Sequence, residues 1–418
     1  MNLKDLQYRY SLNQTMINCI VWGHSLGIYL YDALLLLLVP QKIKKGGRQK
    51  ILVIKLDAIG DFILWLDFAK GLKEFYPSAT HEVTLLANQA WADFAAEIPL
   101  FDRVIPLKRI RFILNPFYRL RMLLRIRCQA FDILIDPTFS REFQFSPAVA
   151  RVSGARLRMA PKGDGGNQRT WQKRISDGWY TRLFPSSPGL LMELQRNADF
   201  LRALGHKDFR ARLPVYQPKS VAKQKTNEPY YVFFPGASWV NKQWPLENFA
   251  ALATLVHRET GWTGILCGGP GEEGFARQLR EMTDAPFEDQ VGQTTLDELA
   301  AIIAEARFLV GNDTSAVHLA AAVSTPAVCV LGGGHFGRFL PYLAEENSDG
   351  RSIPIAVWHQ MQCFNCNWHC SYPIKGTQPV PCIAKISVED VWKSVRKCVG
   401  SKSQEDDAAT RDACASGV

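Results

Sequence analysis

The feature that most limits what this chain can fold into is a series of short apolar runs, each ending at a turn and continuing into a stretch of helical spacing. The first, Ile51-Leu-Val-Ile-Lys-Leu-Asp-Ala-Ile-Gly-Asp61, breaks at Gly60 and leads into a helical pattern over Phe62–Phe75. A strand buried on both faces of a parallel sheet enters its crossover helix in this way. Runs at Glu82–Leu86, Val104–Leu107 and Ile133–Ile135 carry the alternation to about Tyr216. The segment 217–229 is polar, bounded by prolines and free of aromatic residues, so it reads as a linker. A second series then begins with Tyr230–Phe234 and continues through Thr263–Leu266, Phe308–Val310 and Ala327–Leu331. Two α/β domains are expected, and 418 residues suffice to give each a full core.

Three blocks carry chemistry. Asp61 falls at the carboxyl edge of the first sheet, where α/β proteins place their functional groups. The loop after Tyr230–Phe234 supplies the Ser238 hydroxyl and the Lys242 ammonium ahead of Trp244-Pro245. The strand Phe308–Gly311 stops at Asn312-Asp313-Thr314, and helical spacing over Val317–Val323 puts the backbone N–H groups of Thr314 and Ser315 at a helix start, a ready anion site. Together with Phe101–Leu107, Phe131–Asp136, Val152–Ala155 and Leu266–Glu273, these blocks resemble glycosyltransferase family 9, the heptosyltransferases of lipopolysaccharide synthesis, from about Arg48 to Cys398.

The resemblance implies the GT-B architecture, two Rossmann-like domains facing a cleft. Residues 48–216 would form the acceptor domain and residues 230–398 the nucleotide-sugar domain. It also implies an inverting transfer, which needs a base for the acceptor hydroxyl and positive or dipolar charge for the departing diphosphate. By resemblance Asp61 is that base, Lys242 the cation at the diphosphate, and Asp313 a carboxylate near sugar and diphosphate. Ser238, Thr314 and Ser315 would reach phosphate oxygens, and Glu272 would hold the ribose hydroxyls. Four candidates also have a plainer reading: Asp61 as the cap of the helix from Phe62, Lys242 and Glu272 as solvated loop residues, His318 as a buried, satisfied histidine rather than one facing the cleft. Asp57 is the rival base, and its place beside the strand end favours a structural hydrogen bond; Trp244 reads as packing. Ser315-Ala316 stands where many relatives have Gly-Pro, which leaves the sugar open. No Asp-x-Asp pair occurs, so metal-independent catalysis is expected. The implied donor is ADP-heptose and the implied acceptor a phosphorylated glycolipid. The alternatives are a protein acceptor or another nucleotide sugar, or a non-catalytic membrane-associated binding subunit of the same fold.

The net charge of +9 permits a polyanionic partner, but no zinc finger, RNA-recognition signature or aromatic stacking platform is present, which sets nucleic acid aside. Residues 1–47 precede the recognisable enzyme; Met16–Pro40 is largely apolar, with Asn18, His24 and Asp32 inside it. An acidic residue at mid-helix costs about 2.5–3.5 kcal/mol on insertion scales. A helix lying in the membrane interface is therefore expected, followed by the basic group Lys42, Lys44, Lys45, Arg48 and Lys50, with the enzyme on the cytoplasmic face of the inner membrane. The alternative is a helix packed on the N-terminal domain or against a second subunit. Between Asp102 and Asp132 there is no acidic residue, while Arg103, Lys108, Arg109, Arg111, Arg119, Arg121, Arg125 and Arg127 are interleaved with apolar side chains, a pattern suited to an anionic membrane surface.

Ten cysteines in a chain this long do not make a disulfide scaffold. Cys363, Cys366 and Cys370, with Cys382 downstream, have the spacing of a structural zinc or iron knuckle in a loop over 363–382, with His369 as a substitute ligand. Reduced thiols or a disulfide are the alternatives. The tail 399–418 is small and charged and is expected to be disordered.

Overall fold

Runs rich in Ile, Leu and Val give strands covered on both faces, and that is what the computed structural model contains. It describes residues 14–38, 46–222, 228–343 and 350–399. The expected basic group at Lys42, Lys44 and Lys45, residues 223–227 of the expected linker and residues 400–418 of the expected tail lie outside these. The first sheet has six parallel strands: β1 (Gln49–Lys55), β2 (His81–Asn88), β3 (Arg103–Leu107), β4 (Ile133–Ile135), β5 (Leu157–Pro161) and β6 (Arg182–Phe184), in the order β3-β2-β1-β4-β5-β6. The second repeats the plan with β7 (Tyr230–Phe234), β8 (Thr263–Leu266), β9 (Phe287–Asp289), β10 (Leu309–Asn312), β11 (Ala327–Val330) and β12 (Ile355–Val357), in the order β12-β11-β10-β7-β8-β9. Ile51, Leu52, Val53 and Ile54 of β1 and Val232 and Phe233 of β7 are fully buried, as central parallel strands require.

In each sheet the chain order reverses beside the first strand, between β1 and β4 and between β7 and β10. Those reversals open crevices at the carboxyl ends of the strands. Asp61 follows β1, Ser238 follows β7, Glu272 follows β8, and Asp313–Ser315 follow β10. The chain divides into two compact units. One comprises residues up to Ala58, Phe68–Ser187 and Arg196–Phe209; the other comprises Ile59–Asp67, Pro188–Gln195 and residues from Arg210 onward. The start of the helix Ile59–Phe75 thus belongs with the second unit and its remainder with the first.

Two expectations about the first unit change. A helix runs over Gln14–Leu38, but its inner face is committed to protein rather than to lipid. Ser25 is fully buried and receives hydrogen bonds from the Gln144 and Gln172 side-chain amides. Asp32, 2% exposed, forms a bidentate pair with Arg119, whose Nε donates at 2.8 Å and whose guanidinium also lies over the Phe112 ring. Arg151 reaches the carbonyl of Tyr29 and covers its ring. Among the described residues no helix is long and apolar enough to cross a membrane. The expected basic face is correspondingly smaller: Arg119 is buried on Asp32, Arg127 donates to the Val152 carbonyl and Arg109 pairs with Glu142, which leaves Arg103, Lys108, Arg111, Arg121 and Arg125 exposed.

Removing one partner of a buried ion pair strands the other charge, at a cost of about 3–5 kcal/mol. Asp32→Ala is therefore expected to lower unfolding stability by about that amount in urea titrations, whereas the double replacement Asp32→Leu with Arg119→Met stays close to wild type. A wild-type midpoint for Asp32→Ala would show that the helix Gln14–Leu38 is not part of the folded unit.

Candidate functional site

The second unit gathers most of the sequence-derived candidates at the carboxyl edge of its sheet. Asn312, the last residue of β10, organises them. It is fully buried; its amide nitrogen donates to the Pro235 carbonyl at 2.6 Å, and its Oδ1 accepts the Trp244 backbone N–H at 3.0 Å. The loop leaving β7 and the 3-10 turn Val240–Lys242 are thereby fixed to the end of the neighbouring strand. Trp244 is packing, as its sequence suggests: it is 1% exposed, its indole donates to the Ile386 carbonyl, and it meets Phe249 edge-on.

The helix after β10 runs over Ser315–Ala322, two residues earlier than its apolar spacing indicates, with Thr314 as an extended N-cap whose side chain makes no capping bond. The Thr314 hydroxyl oxygen is buried and has no hydrogen-bond partner among the described residues. A helix start without a side-chain cap leaves first-turn N–H groups open to an anion. Burial pushes the Asp313 carboxyl above its ordinary value, and the nearby Lys242 ammonium pulls it back, so cation and carboxylate share one locality. The Lys242 Nζ lies 4.0 Å from the centroid of the Trp368 ring. Ser238 is exposed on the same loop.

Glu272 is not a solvated loop residue. Its carboxylate accepts the Gly269 N–H at 2.8 Å and occupies the space beside Gly236 and Gly268; a Cβ on Gly236 would stand 2.2 Å from Glu272 Oε1. Burial raises its pKa, with the Gly269 N–H opposing. His318 takes the plainer of its two readings. It is 4% exposed, its Nδ1 lies 2.8 Å from the Tyr342 hydroxyl, and desolvation lowers its pKa to about 4, so it is neutral at pH 7.

Asp61 lies in the first turn of the helix Ile59–Phe75, whose N-cap is Ala58. The capping reading for Asp61 fails because the helix starts before it, not after. A Cβ on the adjacent Gly60 would come 3.0 Å from His318 Cδ2 and 3.6 Å from Ser315 Cα. The turn bearing Asp61 therefore runs against the helix start that follows Asp313. In the first unit the rival Asp57 forms an ion pair at 2.8 Å with Lys55, which is 1% exposed, and its backbone carbonyl accepts from Asn88 and Trp91.

Cys363, Cys366 and Cys370 are partly exposed, Cys382 is buried, and all four are free thiols lining one cavity with Trp368. Burial raises the Cys366 and Cys382 thiols, and their neighbouring cysteines push in the same direction. Among the described residues no three His, Cys, Asp or Glu side chains are arranged to hold a metal ion. Sequence reasoning missed Asp136, fully buried at the end of β4, where the Tyr180 hydroxyl and the Thr138 N–H both bond its carboxylate. It also missed His335 and Trp368. The run Gly332-Gly-Gly334 after a strand was the available signal, because three glycines in succession there mark a close approach by another segment.

Residues 189–366 match the model of glycosyltransferase family 9 (heptosyltransferase), a span that holds Ser238, Lys242, Glu272 and Asp313–His318 but not Asp61. The chain is 25% identical over 291 residues to lipopolysaccharide heptosyltransferase 3 of Escherichia coli, covering 65% of this chain and 80% of that protein. Among solved structures it resembles E. coli ADP-heptose lipopolysaccharide heptosyltransferase II, with a TM-score of 0.61 and 18% identity over 85% of this chain and 100% of the other. It also resembles E. coli heptosyltransferase WaaC with ADP-2-deoxy-2-fluoro heptose, with a TM-score of 0.59 and 19% identity, covering 84% and 99%. At these identities the structures speak for the fold, and that fold is two parallel α/β sheets.

Proposed function

We propose that the chain is a member of glycosyltransferase family 9 and an inverting heptosyltransferase that moves heptose from ADP-heptose onto a lipopolysaccharide core without a catalytic metal. The observation that carries this reading is the convergence of Lys242, Asp313, the uncapped start of Ser315–Ala322 and the turn bearing Asp61 at one sheet edge. Asp61 takes the proton from the acceptor hydroxyl, whose oxygen attacks the anomeric carbon from the face opposite the diphosphate. The bond to the diphosphate oxygen breaks, and its developing charge meets the Lys242 ammonium and the N–H groups around Thr314 and Ser315. Glu272, desolvated beside Gly236, accepts the ribose hydroxyls, and Ser238 reaches a phosphate oxygen. Mass spectrometry of core oligosaccharide incubated with ADP-heptose is expected to show one added heptose. Asp61→Asn lowers that turnover about 10²–10⁴-fold with ADP affinity unchanged. Near-wild-type turnover by Asp61→Asn would remove it as the base, and transfer from a different nucleotide sugar alone would overturn the donor.

The first unit offers a surface for the membrane that carries such an acceptor. Ile110 (65% exposed), Leu114 and Phe117 (81%) stand among the exposed Lys108, Arg111, Arg121 and Arg125. Leu30 and Leu34 are exposed on the helix Gln14–Leu38, which is joined to this segment by the hydrogen bond from the Tyr31 hydroxyl to the Pro116 carbonyl. Apolar tips ringed by cations suit an anionic leaflet, each basic residue contributing about 1 kcal/mol. We assign the enzyme to the cytoplasmic face of the inner membrane on this basis. Phe117→Ser with Arg121→Gln and Arg125→Gln should abolish sedimentation with anionic vesicles at low salt; undiminished sedimentation would refute the surface.

For the cysteine loop we infer one structural zinc or iron ion. Four soft thiols around one cavity, with the Gly333 N–H donated to Cys382 Sγ at 3.4 Å, are a donor set such an ion takes, once the Sγ atoms turn inward. The purified protein should carry about one equivalent of metal and lose thermal stability to a strong chelator. Metal-free protein with all four thiols titratable would overturn the inference.

A further inference from the structure

The cysteine loop does more than close on itself: it is laid against the turn that carries Lys242. Asn241, the residue before the cation, is 4% exposed and donates its side-chain amide to the carbonyls of Gly376 at 2.9 Å and Gln378 at 2.6 Å. Its own carbonyl accepts the Val380 N–H at 2.8 Å. From the other side, Trp368 presents its ring to the Lys242 Nζ at 4.0 Å.

Trp368 is itself tightly held. It sits on Gly332 and Gly334, where a Cβ would stand 2.7 and 2.3 Å from the indole, so only glycine admits the ring. Its N–H donates to His335 Nδ1 at 3.2 Å, which leaves the His335 proton on Nε2, donated to Asn367 Oδ1 at 2.6 Å. Asn365, Asn367 and Trp368 all have positive φ, at 63°, 50° and 59°. Asparagine visits that region readily, but for the bulky Trp368 it is strained and persists only where the surroundings fix it. Here the Asn365 and Asn367 N–H groups are bound to the carbonyls of Gly333 and Gly334.

We propose that Trp368 is a positioning residue for the Lys242 cation, and that the cysteine loop is the mount that holds both in place. A desolvated ring face fixes an ammonium more sharply than water does, because the ring's quadrupole attracts the charge along one direction. The stapled Asn241 removes the remaining freedom of the turn. The proposal rests on Lys242 being the diphosphate cation, and its test separates the two claims by measuring ADP affinity by calorimetry in single and double variants.

Trp368→Met keeps a flexible apolar side chain over Gly334 without a π face, and Trp368→Phe keeps a smaller π face. Trp368→Met is expected to weaken ADP about threefold to thirtyfold, the range of a partly desolvated cation–π contact, with Trp368→Phe between it and wild type. In a Lys242→Gln background Trp368→Met should have no further effect, the non-additivity of a residue that acts through another. Equal losses in both backgrounds, or no loss in either, would overturn the positioning role while leaving the donor site intact. If Lys242→Gln itself leaves ADP affinity unchanged, the donor reading falls and the proposal with it. Melting temperatures of the variants, compared with wild type, identify any loss that is only of fold; in that case the Trp368→Phe arm, in the same two backgrounds, decides.

Discussion

The Asn312 side chain is the tie on which the second unit's edge depends. One amide accepts the Trp244 N–H and donates to the Pro235 carbonyl, so both ends of the loop that leaves β7 are tied to the end of β10 at the reversal between the two strands. Neither partner group has a ladder to join, and an unpaired buried amide or carbonyl costs about 1–3 kcal/mol. Asparagine at that position satisfies both with a single planar group. Gly311 beside it leaves room for the Phe234 carbonyl, which would stand 3.1 Å from a Cβ. The consequence is functional: the Lys242 turn is held beside the strand whose continuation is Asp313-Thr314-Ser315.

Chemistry at this edge is set by what is dry and what is charged. Asp313 is desolvated, which raises its carboxyl pKa while the nearby Lys242 opposes, and Glu272 is desolvated against glycine backbone. His318 is neutral and stacked on Tyr342, so it adds shape but no charge to the helix start. A cation beside an uncapped helix start has the chemistry to meet a diphosphate.

Much of the fold was legible in the sequence because strands buried on both faces are apolar without interruption. Ile133–Ile135, Tyr230–Phe234 and Thr263–Leu266 were delimited to the residue. The missed strands β5, β6, β9 and β12 lie at or next to the sheet edges; β9 is partly exposed throughout, so its apolar signal is weak. Candidate residues were found where they follow a strand, since position in an α/β sheet and chemistry coincide there. What stayed hidden depends on packing between distant segments. The Asp32–Arg119 pair turns an apparent interfacial helix and an apparent basic face into the two halves of one buried contact. Trp368 on the glycine run has left-handed backbone that Asn365 and Asn367 tolerate but that a tryptophan does not announce.

The account's central claim is that this edge of the second sheet, fixed by Asn312, is where the nucleotide sugar binds. Calorimetric titration of Asn312→Ala with ADP tests it most directly. The expected result is a protein whose first unit unfolds normally but whose ADP affinity falls at least about tenfold, the equivalent of about 1.4 kcal/mol, since the Trp244 N–H and the Pro235 carbonyl both lose their partner. An Asn312→Ala protein that binds ADP as wild type does would contradict it.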